Sequence, residues 1–97
     1  MRKIEVCRKY TEDDNSGKIC LRYYITVDEI PLPDADCSLE NYGVGVLLEP
    51  DDEETVRCIT PEAEKVERLI DLLATNLVCP TTLNDIVDDI LAEGSLI

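Results

Sequence analysis

Hydrophobic and polar residues alternate most regularly from Lys18 to Val27. Ile19, Leu21, Tyr23, Ile25 and Val27 interleave there with Lys18, Cys20, Arg22, Tyr24 and Thr26. A period of two over that length predicts a half-buried strand. Lys3 to Tyr10 alternates less cleanly, with Ile4 and Val6 set against Lys3, Glu5 and Lys9. The turn-rich stretch Glu12 to Gly17 joins the two runs as a hairpin. Residues 28–38 contain Pro31 and Pro33, which argue against ladder pairing and predict a loop. A third strand is expected at 40–49. It places Tyr42, Val44, Val46 and Leu48 on one face and Gly43, Gly45 and Leu47 on the other. Strand glycines suggest a bulge or a close backbone approach. After the acidic turn Glu49 to Glu54, a short fourth strand spans Thr55 to Ile59.

The period changes at Thr60-Pro61-Glu62. Thr60 can cap a helix, Pro61 suits the first helical position, and Glu62 and Glu64 complement the positive helix end. Ala63, Val66, Leu69, Ile70, Leu73 and Leu77 recur at helical spacing, with Leu72 widening the stripe. Pro80 ends this helix near Asn76 or Leu77. A second helix opens at Thr81 or Thr82, buries Leu83, Ile86, Val87, Ile90 and Leu91, and stops at Gly94.

Four strands followed by two helices predict an α+β fold. Its short links favour an antiparallel four-stranded meander, with a C-terminal helical hairpin packed on one sheet face. The 97 residues suffice for one domain, with the sheet in 1–60 and the helices in 61–94. Neither an internal repeat nor a low-complexity segment interrupts the pattern.

Charge changes the picture most. Nine basic and 22 acidic residues leave a net charge of −13. Residues 1–27 hold six basic and four acidic side chains, a net of +2, and residues 28–97 hold three and eighteen, a net of −15. A basic nucleic-acid binder is excluded on this balance. The chain has no His, Trp or Phe, which removes imidazole general-base chemistry and His-ligated metal sites. Met1-Arg2-Lys3-Ile4-Glu5 leads into no apolar run, so no signal peptide is expected. No run approaches the ~18 apolar residues of a membrane span. Five cysteines at 7, 20, 37, 58 and 79, with no C-x-x-C, suit a reducing cytoplasm.

The candidate chemistry is sparse. The acidic turn at 49–54 could attract a hard cation, but it lacks the EF-hand spacing and reads instead as a solvated hairpin tip. Cys37 stands among aspartates, which oppose thiolate formation. The scattered cysteines lack the paired short spacing of zinc sites. Gly43-Val44-Gly45 lacks the third glycine of a dinucleotide loop. No catalytic residue, cofactor or metal is expected from these features.

Two interaction surfaces remain. Tyr24 lies on the strand face away from the apolar row. With Leu47 and Cys20 it forms an exposed patch unless the 28–38 loop folds over it. Asp85, Asp88 and Asp89 share one helix face. They form either an ordinary solvent face or an acidic surface for a basic partner.

The run Tyr42-Gly43-Val44, then Ile59-Thr60, Leu69 to Leu73 with Asn76, Val78 and Pro80, then Leu83 to Leu91, resembles an uncharacterised domain-of-unknown-function family. Its members are short proteins of anaerobic Gram-positive bacteria. The similarity covers most of residues 20–91 and implies one small bacterial domain, with no activity attached.

The expectation is a cytoplasmic, acidic, non-enzymatic accessory domain that binds an unidentified protein or forms a homodimer. It is expected to bind neither nucleic acid nor membrane. The alternative is an acidic mimic of nucleic acid that inhibits a basic nucleic-acid-binding protein.

Overall fold

A computed structural model describes residues 1–13, 17–33, 37–49 and 52–93. Four strands, β1 (Arg2–Asp13), β2 (Gly17–Pro31), β3 (Ser38–Leu48) and β4 (Asp52–Thr60), precede α1 (Ala63–Thr75), a 3-10 turn (Pro80–Thr82) and α2 (Leu83–Ala92). The strands form one antiparallel sheet in the order β1-β2-β3-β4. This is the expected meander and α+β architecture. The Gly94 stop lies outside the described residues.

All four strands are longer than the alternation suggests. β2 continues through the expected 28–38 loop, with Asp28 to Pro31 pairing against Asn41 to Ser38. Pro31 occupies the last ladder position, where a missing N–H disturbs no further pairing. Beyond it, Leu32 N–H donates to the Cys37 carbonyl at 3.2 Å. The prolines therefore end the ladder rather than prevent it. Asp52 to Glu54 of the acidic turn likewise join β4 opposite Leu48 to Val46. Backbone pairing tolerates acids whose side chains reach solvent.

Both helices pack on one face of the sheet. Leu21, Tyr23, Ile25 and Val27 of β2, with Val44 and Val46 of β3, meet Val66, Leu69, Ile70 and Leu73 of α1 and Leu83 and Val87 of α2. Each such fully buried aliphatic contributes about 1.5–3 kcal/mol relative to exposure. α1 lies chiefly over β2 and β3, and α2 over β4. The helical stripes are narrower than expected, because Leu72, Leu77 and Leu91 remain exposed.

The helix ends also differ from expectation. β4 runs to Thr60, so Pro61 and Glu62 serve to turn the chain, and Glu62 is the N-cap. Thr60 Oγ1 accepts the Glu62 N–H at 3.1 Å instead of capping the first turn. Thr82 precedes α2, but its hydroxyl donates back to the Cys79 carbonyl at 3.3 Å.

α1 ends in a Schellman arrangement without glycine. Val78 N–H donates to the Leu73 carbonyl at 3.0 Å and Leu77 N–H to the Ala74 carbonyl at 3.2 Å. Asn76 Nδ2 adds a bond to the Leu72 carbonyl at 2.8 Å. The motif forces Leu77 to φ 52°, a left-handed conformation that favours glycine. The carbonyl of the next residue, Val78, accepts the Tyr23 hydroxyl at 2.9 Å inside the core. Burial, with the nearby Cys79 and Cys7, raises the pKa of that phenol, so the hydroxyl stays a donor.

Two variants check this turn by denaturant unfolding. Tyr23→Phe leaves the buried Val78 carbonyl without its donor and should cost about 1–3 kcal/mol. An unchanged midpoint would show that this bond does not secure the turn. Leu77→Gly should gain about 1 kcal/mol by removing the left-handed penalty. Leu77→Ala keeps that penalty and should show no such gain.

Candidate interaction site

On the sheet face away from the helices, β3 presents Gly45 and Gly43 between Leu47 and Asn41. The missing side chains open a trough across which β2 reaches β4. The Tyr24 ring lies over Gly45, where any Cβ would collide with the far end of the ring. Thr26 lies over Gly43. A Cβ there would collide with the Val56 carbonyl and sit 2.6 Å from Thr26 Oγ1 and 2.7 Å from Arg57 Cα. The close approach expected of these glycines is therefore real: at Gly45 it is the Tyr24 side chain crossing the sheet, and at Gly43 the β4 backbone with the Thr26 hydroxyl.

Lys3 closes the trough from the β1 side. Its Nζ lies 5.1 Å from the Tyr24 ring centroid and 2.8 Å from Glu53 Oε1 on β4. A cation over a tyrosine face is attractive, and the carboxylate fixes it there. Tyr24 is consequently only 5% exposed. The expected exposed patch around Tyr24 and Leu47 does not exist, since Tyr24 is buried and Leu47 and Cys20 are half-buried. Among the described residues the cover over the ring is Lys3. Burial, then the adjacent Glu53 and Glu54 carboxylates, push the Tyr24 phenol up. The Lys3 hydrogen bond holds Glu53 below the usual carboxylate range.

Further along the trough, Arg57 reaches back to Asp28. Its Nε lies 3.1 Å from Asp28 Oδ2, and its Nη2 pairs with Oδ1. This fork lowers the Asp28 pKa and raises that of Arg57. It requires β4 to bulge opposite Gly43, where the register shifts between Tyr42 and Val44. Cys58, at φ 56°, forms part of that bulge, with its thiol 3.8 Å from Asp28 Oδ2.

The acidic turn is similarly engaged. Glu53 binds Lys3, and Glu49 Oε1 lies 2.8 Å from Arg22 Nε at an angle too oblique for a hydrogen bond. Among the described residues, no three Cys, Asp or Glu side chains stand together as metal ligands. The cysteines are all free. Cys37 and Cys58 are exposed, and Cys7, Cys20 and Cys79 are half-buried.

Asp85, Asp88 and Asp89 are exposed on α2, on the side of the sheet opposite Tyr24. Among the described residues none of the three is ion-paired. The residues expected to mediate interaction therefore do not form one surface.

An open apolar groove lies elsewhere. α1 leaves the outer strand β1 largely uncovered, and a groove of about 1040 Å³ runs between them. Ile4, Val6, Cys7, Ile25 and Tyr42 line its sheet side, and α1 supplies Glu64, Glu67, Arg68 and Asp71. Ile4 is 50% exposed and Val6 48%, a large exposure for aliphatics on the face that carries the core. Alternation marks both as strand residues. It does not show that their strand is an edge, nor that the helices stop short of it.

Gly43→Ala meets backbone that cannot withdraw and should destabilise by about 1–3 kcal/mol in denaturant unfolding. Gly45→Ala displaces only the end of a tyrosine ring and should cost less, and least in a Tyr24→Ala background. Additive losses in that cycle would show that the ring does not fill the space above Gly45.

No curated protein and no solved structure matches the chain. The model of a family of unknown function, DUF6514, matches residues 2–93, from the first strand through the last helix, and the chain belongs to that family.

Proposed function

We propose that this chain is a small non-enzymatic protein-binding domain whose contact surface is the β1 edge with the groove beside α1. The observation that carries the reading is the exposure of Ile4 and Val6 in that groove. On the opposite face Tyr24 lies under Lys3, and the exposed Tyr10 and the Ile30–Leu39 pair stand apart from it, with no groove between them among the described residues. An exposed apolar strip rimmed by charge is the usual mark of a protein contact. Five free thiols suit a reducing cytoplasm. The resemblance to short proteins of anaerobic Gram-positive bacteria suits a bacterial host.

A second reading, an acidic mimic of nucleic acid, is favoured by the helical layer. Glu64, Glu67 and Asp71 of α1 and Asp85, Asp88 and Asp89 of α2 are all exposed there. Such a surface would recruit a basic protein through contacts that salt weakens.

Affinity capture from the native host at two salt concentrations separates the readings. The variant Ile4→Ser with Val6→Ser should keep its melting temperature. It should lose a salt-resistant partner by at least about tenfold, the effect of removing one or two buried aliphatic contacts. A partner retained equally by this variant would overturn the groove reading. A basic partner lost with rising salt and with Asp85→Asn, Asp88→Asn and Asp89→Asn would establish the mimic.

A further inference from the structure

The two edges of the sheet differ. β4 carries Asp52, Glu53 and Glu54 at one end and a bulge at the other, and α2 and the 3-10 turn pack along it. Acids, bulges and cover are devices that keep edges from pairing. β1 is a 12-residue edge with Ile4, Val6 and Tyr10 exposed. Its own bulge, at Val6, adds an exposed aliphatic rather than a charge. β1 also gathers Arg2, Lys3, Arg8 and Lys9 in a chain of net charge −13. Two such acidic molecules meet the least repulsion along this strand.

We propose, resting on the binding reading above, that the occupant of this edge is a second copy of the chain. β1 pairs antiparallel with its counterpart about a two-fold axis, and the two sheets become one. A two-fold contact must be self-complementary, which the register tests. Continuous sheets bring together residues of the same face. The Val6 bulge puts Arg2, Ile4, Cys7, Lys9 and Thr11 on the helical face and Lys3, Glu5, Arg8, Tyr10 and Glu12 on the other.

Charge then selects among the face-matched registers centred near the middle of β1, where the paired length is greatest. Centring on Glu5 sets two carboxylates together and Lys3 against Arg8. Centring on Arg8 sets two guanidinium groups together. Centring on Cys7 sets Glu5 opposite Arg8 of the other copy, twice by symmetry. It also places Lys3 opposite Tyr10, with Glu12 on one diagonal and Arg8 on the other. Direct and diagonal cross-strand pairs of opposite charge stabilise a sheet. On the helical face Ile4 of each copy stands opposite the aliphatic stem of Lys9 and diagonal to Cys7 of the other, so the two grooves meet along the seam.

Sedimentation velocity across the micromolar range should show a dimer. Glu5 and Arg8 are exposed, and within one copy they pair at 3.1 Å, an exposed contact worth little, so exchanging either should leave the fold intact. Glu5→Arg alone or Arg8→Glu alone should each weaken dimerisation about tenfold, by turning two attractive cross-strand pairs repulsive. Glu5→Arg with Arg8→Glu should restore it. In a chain with Cys20, Cys37, Cys58 and Cys79 changed to Ser, copper-phenanthroline oxidation should join the copies through Cys7. A monomer at every concentration would overturn the dimer, as would a dimer indifferent to the charge exchanges or uncrosslinked through Cys7. A heterologous partner captured through Ile4 and Val6 by a strictly monomeric chain would leave the binding reading standing and sink only the second-copy occupant.

Discussion

The hydrogen bond from Tyr23 to the Val78 carbonyl joins the two halves of this fold. Tyr23 is fully buried at the centre of β2, and Val78 lies in the turn between α1 and α2. That turn places an otherwise orphaned carbonyl in an apolar core, where a missing donor is expensive. The phenol supplies the donor from the far end of a side chain whose ring already packs there. The bond sets where the helical hairpin sits on the sheet, and therefore which strand the helices fail to cover.

The uncovered strand is β1, and the opposite face of the sheet explains why the surface of interest lies there. Gly43 and Gly45 allow β2 and β4 to meet across β3, through Tyr24 and Lys3 with Glu53 at one point and through Asp28 with Arg57 at another. These contacts cover the middle of the helix-free face around Tyr24 and Thr26, while Tyr10, Ile30 and Leu39 stay exposed toward its ends. The resulting division is physical: one face covers its centre by charge and stacking, and the other leaves an apolar groove at its edge.

Charge segregation fits this division. The positive side chains of the N-terminal strands are partly consumed in restraining acids, as in Lys3 with Glu53 and Arg2 with Glu40. Exposed pairs of this kind contribute little stability individually. Their larger effect is on approach. They leave β1 as a less repulsive flank on a strongly acidic molecule, whereas the helical layer presents exposed acids to solvent.

Local periodicity by itself determined the four strands, the two helices and their order, because alternation and helical spacing are properties of neighbouring residues. It also placed the glycines of β3 on the helix-free face and Tyr23 in the core. Strand lengths escaped it. Pro31 and the acids Asp52 to Glu54 disfavour strands locally, yet they pair once their neighbours supply a ladder. The burial of Tyr24 escaped it as well, because the cover comes from Lys3, a residue 21 positions earlier, whose register opposite Thr26 exists only in the assembled sheet. The exposure of Ile4 and Val6 was decided last. Alternation shows that an aliphatic side chain faces the core side of a strand, but only the placement of α1 relative to the edge determines whether anything covers it.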